Sequence, residues 1–108
     1  MSRKRFRAEV YLPVQPTIAY HEARGQLITE FSYGFGGCTV SDELEGWYLS
    51  QREDLTPDRI TLIWSDTPPI DRKQERVVRL WLETWKLILI QDLNQEDVLI
   101  TFWPLEHI

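Results

Sequence analysis

Apolar and polar positions alternate near the start of the chain. Phe6, Ala8, Val10 and Leu12 are interleaved with Arg7, Glu9 and Tyr11. A period of two predicts a strand with one buried face from Phe6 to Leu12, ended by Pro13. Val14-Gln15-Pro16 reads as a connector. Pro16 suits the first turn of a helix, where a missing N–H costs nothing. Tyr20, Ala23, Leu27 and Phe31 follow at three-to-four spacing, with Glu22, Arg24, Gln26 and Glu30 off that stripe. This spacing predicts a helix from Thr17 to Tyr33. Gly25 inside it costs ~1 kcal/mol against alanine, which suggests close backbone packing on the sheet. Gly34-Phe35-Gly36-Gly37 then supplies the left-handed residue that commonly closes a helix.

Cys38 to Val40 opens a second strand. Ser41 to Glu45 is acidic and reads as a loop or bulge, and Gly46-Trp47-Tyr48-Leu49 resumes extended character. Gln51 to Asp58, with Pro57, reads as a polar connection. Ile60, Leu62 and Trp64 alternate with Thr61, Ile63 and Ser65 in a third strand, and the first three are expected to face the core. Thr67-Pro68-Pro69 is a stiff turn. Asp71 with Gln74 three residues later resembles a capping box. Val78, Trp81, Leu82, Trp85, Ile88 and Leu89 form a helical stripe, with Leu80 and Leu87 outside it. Leu87 to Ile90 alone also fits a strand, but the period that holds from Val78 favours helix. After a polar turn from Gln91 to Asp97, Val98, Ile100 and Phe102 alternate with Leu99, Thr101 and Trp103. That is the last strand, ended by Pro104.

The resulting order is β-α-β-β-α-β, the split βαβ or ferredoxin-like arrangement. The expected fold is therefore α+β: a four-stranded antiparallel sheet with two helices on one face. The other face is left without a layer of its own. Its side chains by alternation would be Tyr11, Ile63, Leu99 and Trp103, a candidate self-association patch. Leu80 and Leu87 on the second helix form a rival one.

Length and charge narrow the classes. A chain of 108 residues is one domain, 1–108, with residues 1–4 expected to be flexible. At this size it needs no metal or disulfide staple, and the single Cys38 forms no internal bridge, which suits a cytoplasmic protein. No apolar run approaches a membrane span, and Met-Ser-Arg-Lys-Arg has no apolar segment behind it to make a secretory signal. Net charge is −5; Arg3, Lys4, Arg5 and Arg7 put +4 into the first seven residues, so the rest carries −9. An acidic body repels phosphate backbones, so nucleic acid is an unfavoured partner. The four basic residues remain a candidate anion contact.

Known chemistries find little purchase. Tyr33-Gly34-Phe35-Gly36-Gly37-Cys38 has the flavour of an RNA-binding signature, but Gly37 stands where an aromatic is needed and the segment follows a helix. The same glycines run from helix to strand, opposite to a phosphate loop, and no Gly-Lys-Ser/Thr follows. His21 and His107 have no second ligand at helical spacing, so no metal is expected. Cys38 and the serines lack a base and an orienter. Asp42, Glu43 and Glu45 lack the spacing of a calcium loop. No catalytic residue, metal or cofactor is assigned.

Phe35-Gly36-Gly37-Cys38-Thr39 before Glu45-Gly46-Trp47-Tyr48, and Leu93-Asn94-Gln95-Glu96-Asp97-Val98-Leu99-Ile100 near the end, resemble a group of small uncharacterised bacterial proteins, many cyanobacterial. The resemblance spans residues 30 to 105. It implies a ferredoxin-like domain of cytoplasmic origin and brings no activity, cofactor or catalytic residue. The expected function is a non-enzymatic, homodimeric interaction or regulatory module. One alternative is a small-molecule-binding protein or enzyme with a pocket at the open sheet face or dimer seam. A second is a nucleic-acid binder acting through the basic start.

Overall fold

The computed structural model describes residues 2–49 and 54–108. The elements are β1 (Arg5–Pro13), α1 (Ile18–Phe35), β2 (Thr39–Leu49), β3 (Leu55–Asp66), α2 (Arg72–Asp92) and β4 (Ile100–Leu105). The sheet order is β2-β3-β1-β4, and every pairing is antiparallel. This is the α+β ferredoxin-like arrangement, with both helices on one face.

The central strand β1 sets the layers. Phe6, Ala8, Val10 and Leu12 are buried beneath the helices, while the residues between them are half-exposed on the other face. The Thr17 hydroxyl caps α1 by accepting from the Tyr20 N–H at 3.1 Å, so Pro16 precedes the cap rather than entering the first turn. The α1 stripe of Tyr20, Ala23, Leu27 and Phe31 is buried as its spacing requires. Gly36, at φ 89°, closes the helix and donates its N–H to Ser32 O. Gly25 does not pack closely on the sheet: a Cβ there would meet open space.

The capping box of α2 is complete. Asp71 accepts from Gln74 N at 2.8 Å, and Gln74 returns an acceptor to Asp71 N at 2.9 Å. From there α2 runs unbroken to Asp92, so residues 87–90 are helical. Leu82, Trp85 and Leu89 are buried. Ile88, expected on the same stripe, is 40% exposed at its border.

The third strand has the opposite phase to the one expected. Thr61, Ile63, Ser65 and Thr67 face the helices, and Ile60, Leu62 and Trp64 face away. Ile63 has 0% exposure and pairs with Val10 in the core, so it is no part of an outer patch. The cause is polar satisfaction. The Thr61 hydroxyl donates to Asp42 at 3.0 Å and accepts from Tyr20 at 2.6 Å. Asp42 in turn binds Arg24 through two bonds of 3.1 and 2.6 Å. Ser65 donates to Gly37 O, and Thr67 accepts from Phe6 N at 3.0 Å. Among the described residues no buried side-chain polar atom lacks a partner.

Element ends differ from the expected ones for local reasons. β2 and β3 form a long hairpin in which Leu55 to Asp58 is strand, not connector, with Pro57 opposite Trp47. Gln51, in the expected polar connection, lies outside the described residues. The acidic stretch is a bulge between Ser41 and Leu44, with Glu43 at φ 59°. β4 starts at Ile100, because Val98 is buried against the core before the strand begins. It continues through Pro104, tolerated because β4 is an edge strand. Lys4 pairs with Ile70 through two backbone bonds of 2.9 Å.

The Tyr20–Thr61–Asp42–Arg24 chain ties α1 to β2 and β3. Tyr20→Phe leaves Thr61 with a lost donor and should cost about 1 kcal/mol. Thr61→Val also orphans the buried Tyr20 hydroxyl and should cost about 2 kcal/mol. Urea unfolding at neutral pH measures both, and an unchanged midpoint for Thr61→Val would contradict this role.

Candidate interaction surface

The uncovered face of the sheet is built in rows by strand register. Trp103, Arg7 and Asp66 form one row across β4, β1 and β3. Thr101, Glu9 and Trp64 form the next, and Tyr11 stands beside Leu62 in the third. Ile60 is flanked by Pro13 and Leu44. Gly46 leaves it room, since a Cβ there would sit 2.9 Å from Ile60 Cδ1.

The polar residues of this face are already engaged with one another. Arg7 binds Asp66 through two parallel bonds of 2.7 and 3.0 Å. Its guanidinium also lies 4.3 Å from the centre of the Trp64 ring, a cation–π contact. Arg7 holds the Asp66 carboxyl below the usual carboxylate range, first by hydrogen bonding and then by charge. Glu9 accepts from Thr101 at 3.3 Å and from Tyr11 at 3.4 Å. Burial, with the charge of Glu9, pushes the Tyr11 hydroxyl up. Fixed pairs set among Trp64, Trp103, Leu62 and Ile60 make a surface suited to packing.

The residues anticipated for this face are partly brought together. Tyr11 and Trp103 lie on it, Trp103 at 37% exposure. Leu99, 53% exposed, lines a small recess of about 170 Å³ with Tyr11 and Ile60 at the far end. Ile63 is absent from it, for the reason given above. Ile60, Leu62 and Trp64 were missed because hydrophobicity alone put them in the core. Tyr20 held the one available signal, since a tyrosine on a buried helical stripe needs a polar partner opposite, and Thr61 is that partner.

Leu80 and Leu87 lie on the outer side of α2 at 65% and 69% exposure, with Val77 nearby at 64%. Of the basic start, Arg3 is exposed and Arg5 reaches Thr67 O at 3.4 Å. Arg7 is committed to Asp66, so it is not a free anion contact. Cys38 is half-buried, with Sγ 3.8 Å from Ile28 O, and His21 and His107 are exposed and far apart in sequence. Among the described residues no three His, Cys, Asp or Glu side chains are placed to hold a metal, and no helix is long and apolar enough to cross a membrane.

The Arg7–Asp66 pair gives the face a pH signature. The folded pKa of Asp66 lies below its unfolded value of about 3.9. The pair's contribution is therefore full above that value and lost as pH falls through the folded pKa. Stability should drop on acidification below about pH 4, and Asp66→Asn should flatten that drop while lowering stability at pH 7. Thermal midpoints between neutral and acid pH check this. Parallel curves for the two proteins would count against it.

No family model matches the chain, and no curated protein matches it. Among solved structures it is similar to the crystal structure of CutA1 from Oryza sativa, with 14% sequence identity and a TM-score of 0.53. The match covers 98% of this chain and 84% of that one, and the likeness is one of fold.

Proposed function

We propose that this chain is a non-enzymatic interaction or regulatory module that assembles with copies of itself through the open sheet face. A two-fold homodimer is its simplest closed form, and the cytoplasm its setting. The observation that carries this is the outward set of Tyr11, Ile60, Leu62, Trp64 and Trp103 on a face that neither helix covers. Tyr11, Ile60, Leu62 and Trp64 are already half-buried and Trp103 is 37% exposed, so covering the face adds part of the ~1.5–3 kcal/mol that each yields when fully buried, and a face of this composition is worth covering.

Charge order supports a self-complementary arrangement. Arg5 lies towards one end of the face and Asp58 borders the recess beside Tyr11 at the other, while Arg7 and Asp97 are neutralised within the chain by Asp66 and Lys86. A two-fold axis lying in the plane between the two faces and perpendicular to the strands places the Arg5 end of one copy over the Asp58 end of its mate. The sheet edges are poorer routes. β4 carries Pro104, and β2 carries a bulge with Asp42, Glu43 and Glu45, features that blunt strand addition. The recess at the sheet face is small beside the ~300–1,000 Å³ of typical ligand pockets. That weighs against an enzyme or small-molecule site there.

The exposed α2 stripe of Leu80 and Leu87 favours a second reading, in which copies meet through their helices. The two separate cleanly by mutation. Light scattering at micromolar concentration should report an oligomer for the unmutated chain. Trp103→Lys should dissociate it and Leu87→Lys should not. The reverse pattern moves the interface to the helices, and a monomeric unmutated chain removes both.

A further inference from the structure

An apolar recess lies on the helix side of the molecule, between the C-terminal half of α1 and the N-terminal half of α2. One lobe, of about 400 Å³, is walled by Glu30, Tyr33, Phe35, Val77 and Trp81. A second, of about 350 Å³, shares Gly34, Phe35, Val77 and Val78 with the first and reaches Ile70, Lys73 and Gln74. Each lobe falls within the size range of small-molecule sites. The space beside Gly34 at the junction is open, since a Cβ there would meet nothing within 4 Å.

The two ends of this groove differ in charge. Glu30 stands at the Trp81 end, where its carboxylate accepts from the indole Nε1 at 3.2 Å. Lys73 stands at the other end, exposed and in no salt bridge among the described residues. Beside it, Gln74 gives its Oε1 to Asp71 N, which leaves its Nε2 hydrogens to donate. The N-terminus of α2 is itself closed by the Asp71 carboxylate, so the positive charge at this end is that of Lys73. An apolar groove with a cation at one mouth and a carboxylate at the other selects and orients its occupant.

We propose that this groove binds a small apolar monocarboxylate, with its head on Lys73 and Gln74 and its tail running past Val77 and Phe35 towards Trp81. Glu30 repels the head from the Trp81 end and so fixes the direction. The net charge of −5 disfavours docking on an anionic membrane, which leaves a free amphiphile as the occupant. This site is separate from the sheet face and stands whether or not that face assembles.

Decanoate and its neutral counterpart decanol, titrated into the full chain and followed by amide NMR shifts, test it. Decanoate should shift Gly34, Lys73, Gln74 and Val77 and bind about tenfold more tightly than decanol, as one charge-assisted hydrogen bond allows. Lys73→Glu, an exposed change, should remove that preference and leave decanol binding as it was. Gly34→Trp should fill the groove and abolish both. Val77→Asp, also at an exposed position, should weaken decanoate if Gly34→Trp fails to fold. Equal binding of the two probes, an indifferent Lys73→Glu, or shifts centred on Tyr11 and Trp103 would overturn the proposal. So would capture by phosphatidylglycerol vesicles without any response to free decanoate.

Discussion

The rest of the structure depends on the one-sided burial of β1. Its even-numbered side chains from Phe6 to Leu12 are almost wholly removed from water, and its odd-numbered ones are not. A one-residue slip in β1 would exchange the two sets and carry Arg5, Arg7 and Glu9 under the helices, where unpaired charge is costly. The strand is thus pinned, and its neighbour β4 takes its facing from it. Phe102 reaches Phe6 on the helix side, with ring centres 4.8 Å apart. Trp103, one residue later, is sent to the other side.

This explains which features were legible in the sequence. Element order, both helical stripes, the Asp71 cap and the glycine stop at Gly36 each follow from local chemistry, and each is where its chemistry puts it. β1 and β4 were also phased correctly, because only one of their two faces is strongly apolar. β3 could not be phased in this way. Ile60, Leu62 and Trp64 on one face and Ile63 on the other give no decisive alternation. The bias that does exist points the wrong way, since the buried face carries two threonines and a serine. Its phase is set by partners distant in sequence: Tyr20, Asp42, Gly37 and Phe6. Strand ends were missed for a related reason. Pro57 and Pro104 mark breaks in isolation, yet both are accommodated where the ladder makes no demand on a proline nitrogen.

The candidate surface was half legible for the same cause. Tyr11 and Trp103 belong to strands whose phase is evident, and they were placed correctly. Ile63 was exchanged for Leu62 and Trp64, a consequence of one inverted strand rather than of several separate errors. The groove between the helices left no trace in the pattern. It is formed by side chains of two helices distant in sequence, and Lys73 and Glu30 are ordinary surface residues until the fold brings them to opposite ends of one recess.

The inverted polarity of β3 carries a cost in a lone domain. A lone domain would gain by turning Ile60, Leu62 and Trp64 inward and Thr61 and Ser65 outward, since each apolar side chain is favoured inside and each hydroxyl needs no special partner in water. This chain does the opposite and commits Tyr20 and Gly37 to satisfy the inward hydroxyls. The arrangement is costly for a permanent monomer. It becomes favourable once the outward face is itself removed from water, because the apolar set is then buried and the hydroxyls remain paired. Specific hydrogen bonds inside thus leave Ile60, Leu62 and Trp64 on the outer face. Arg7 over Trp64, clamped to Asp66, fixes the shape of that surface.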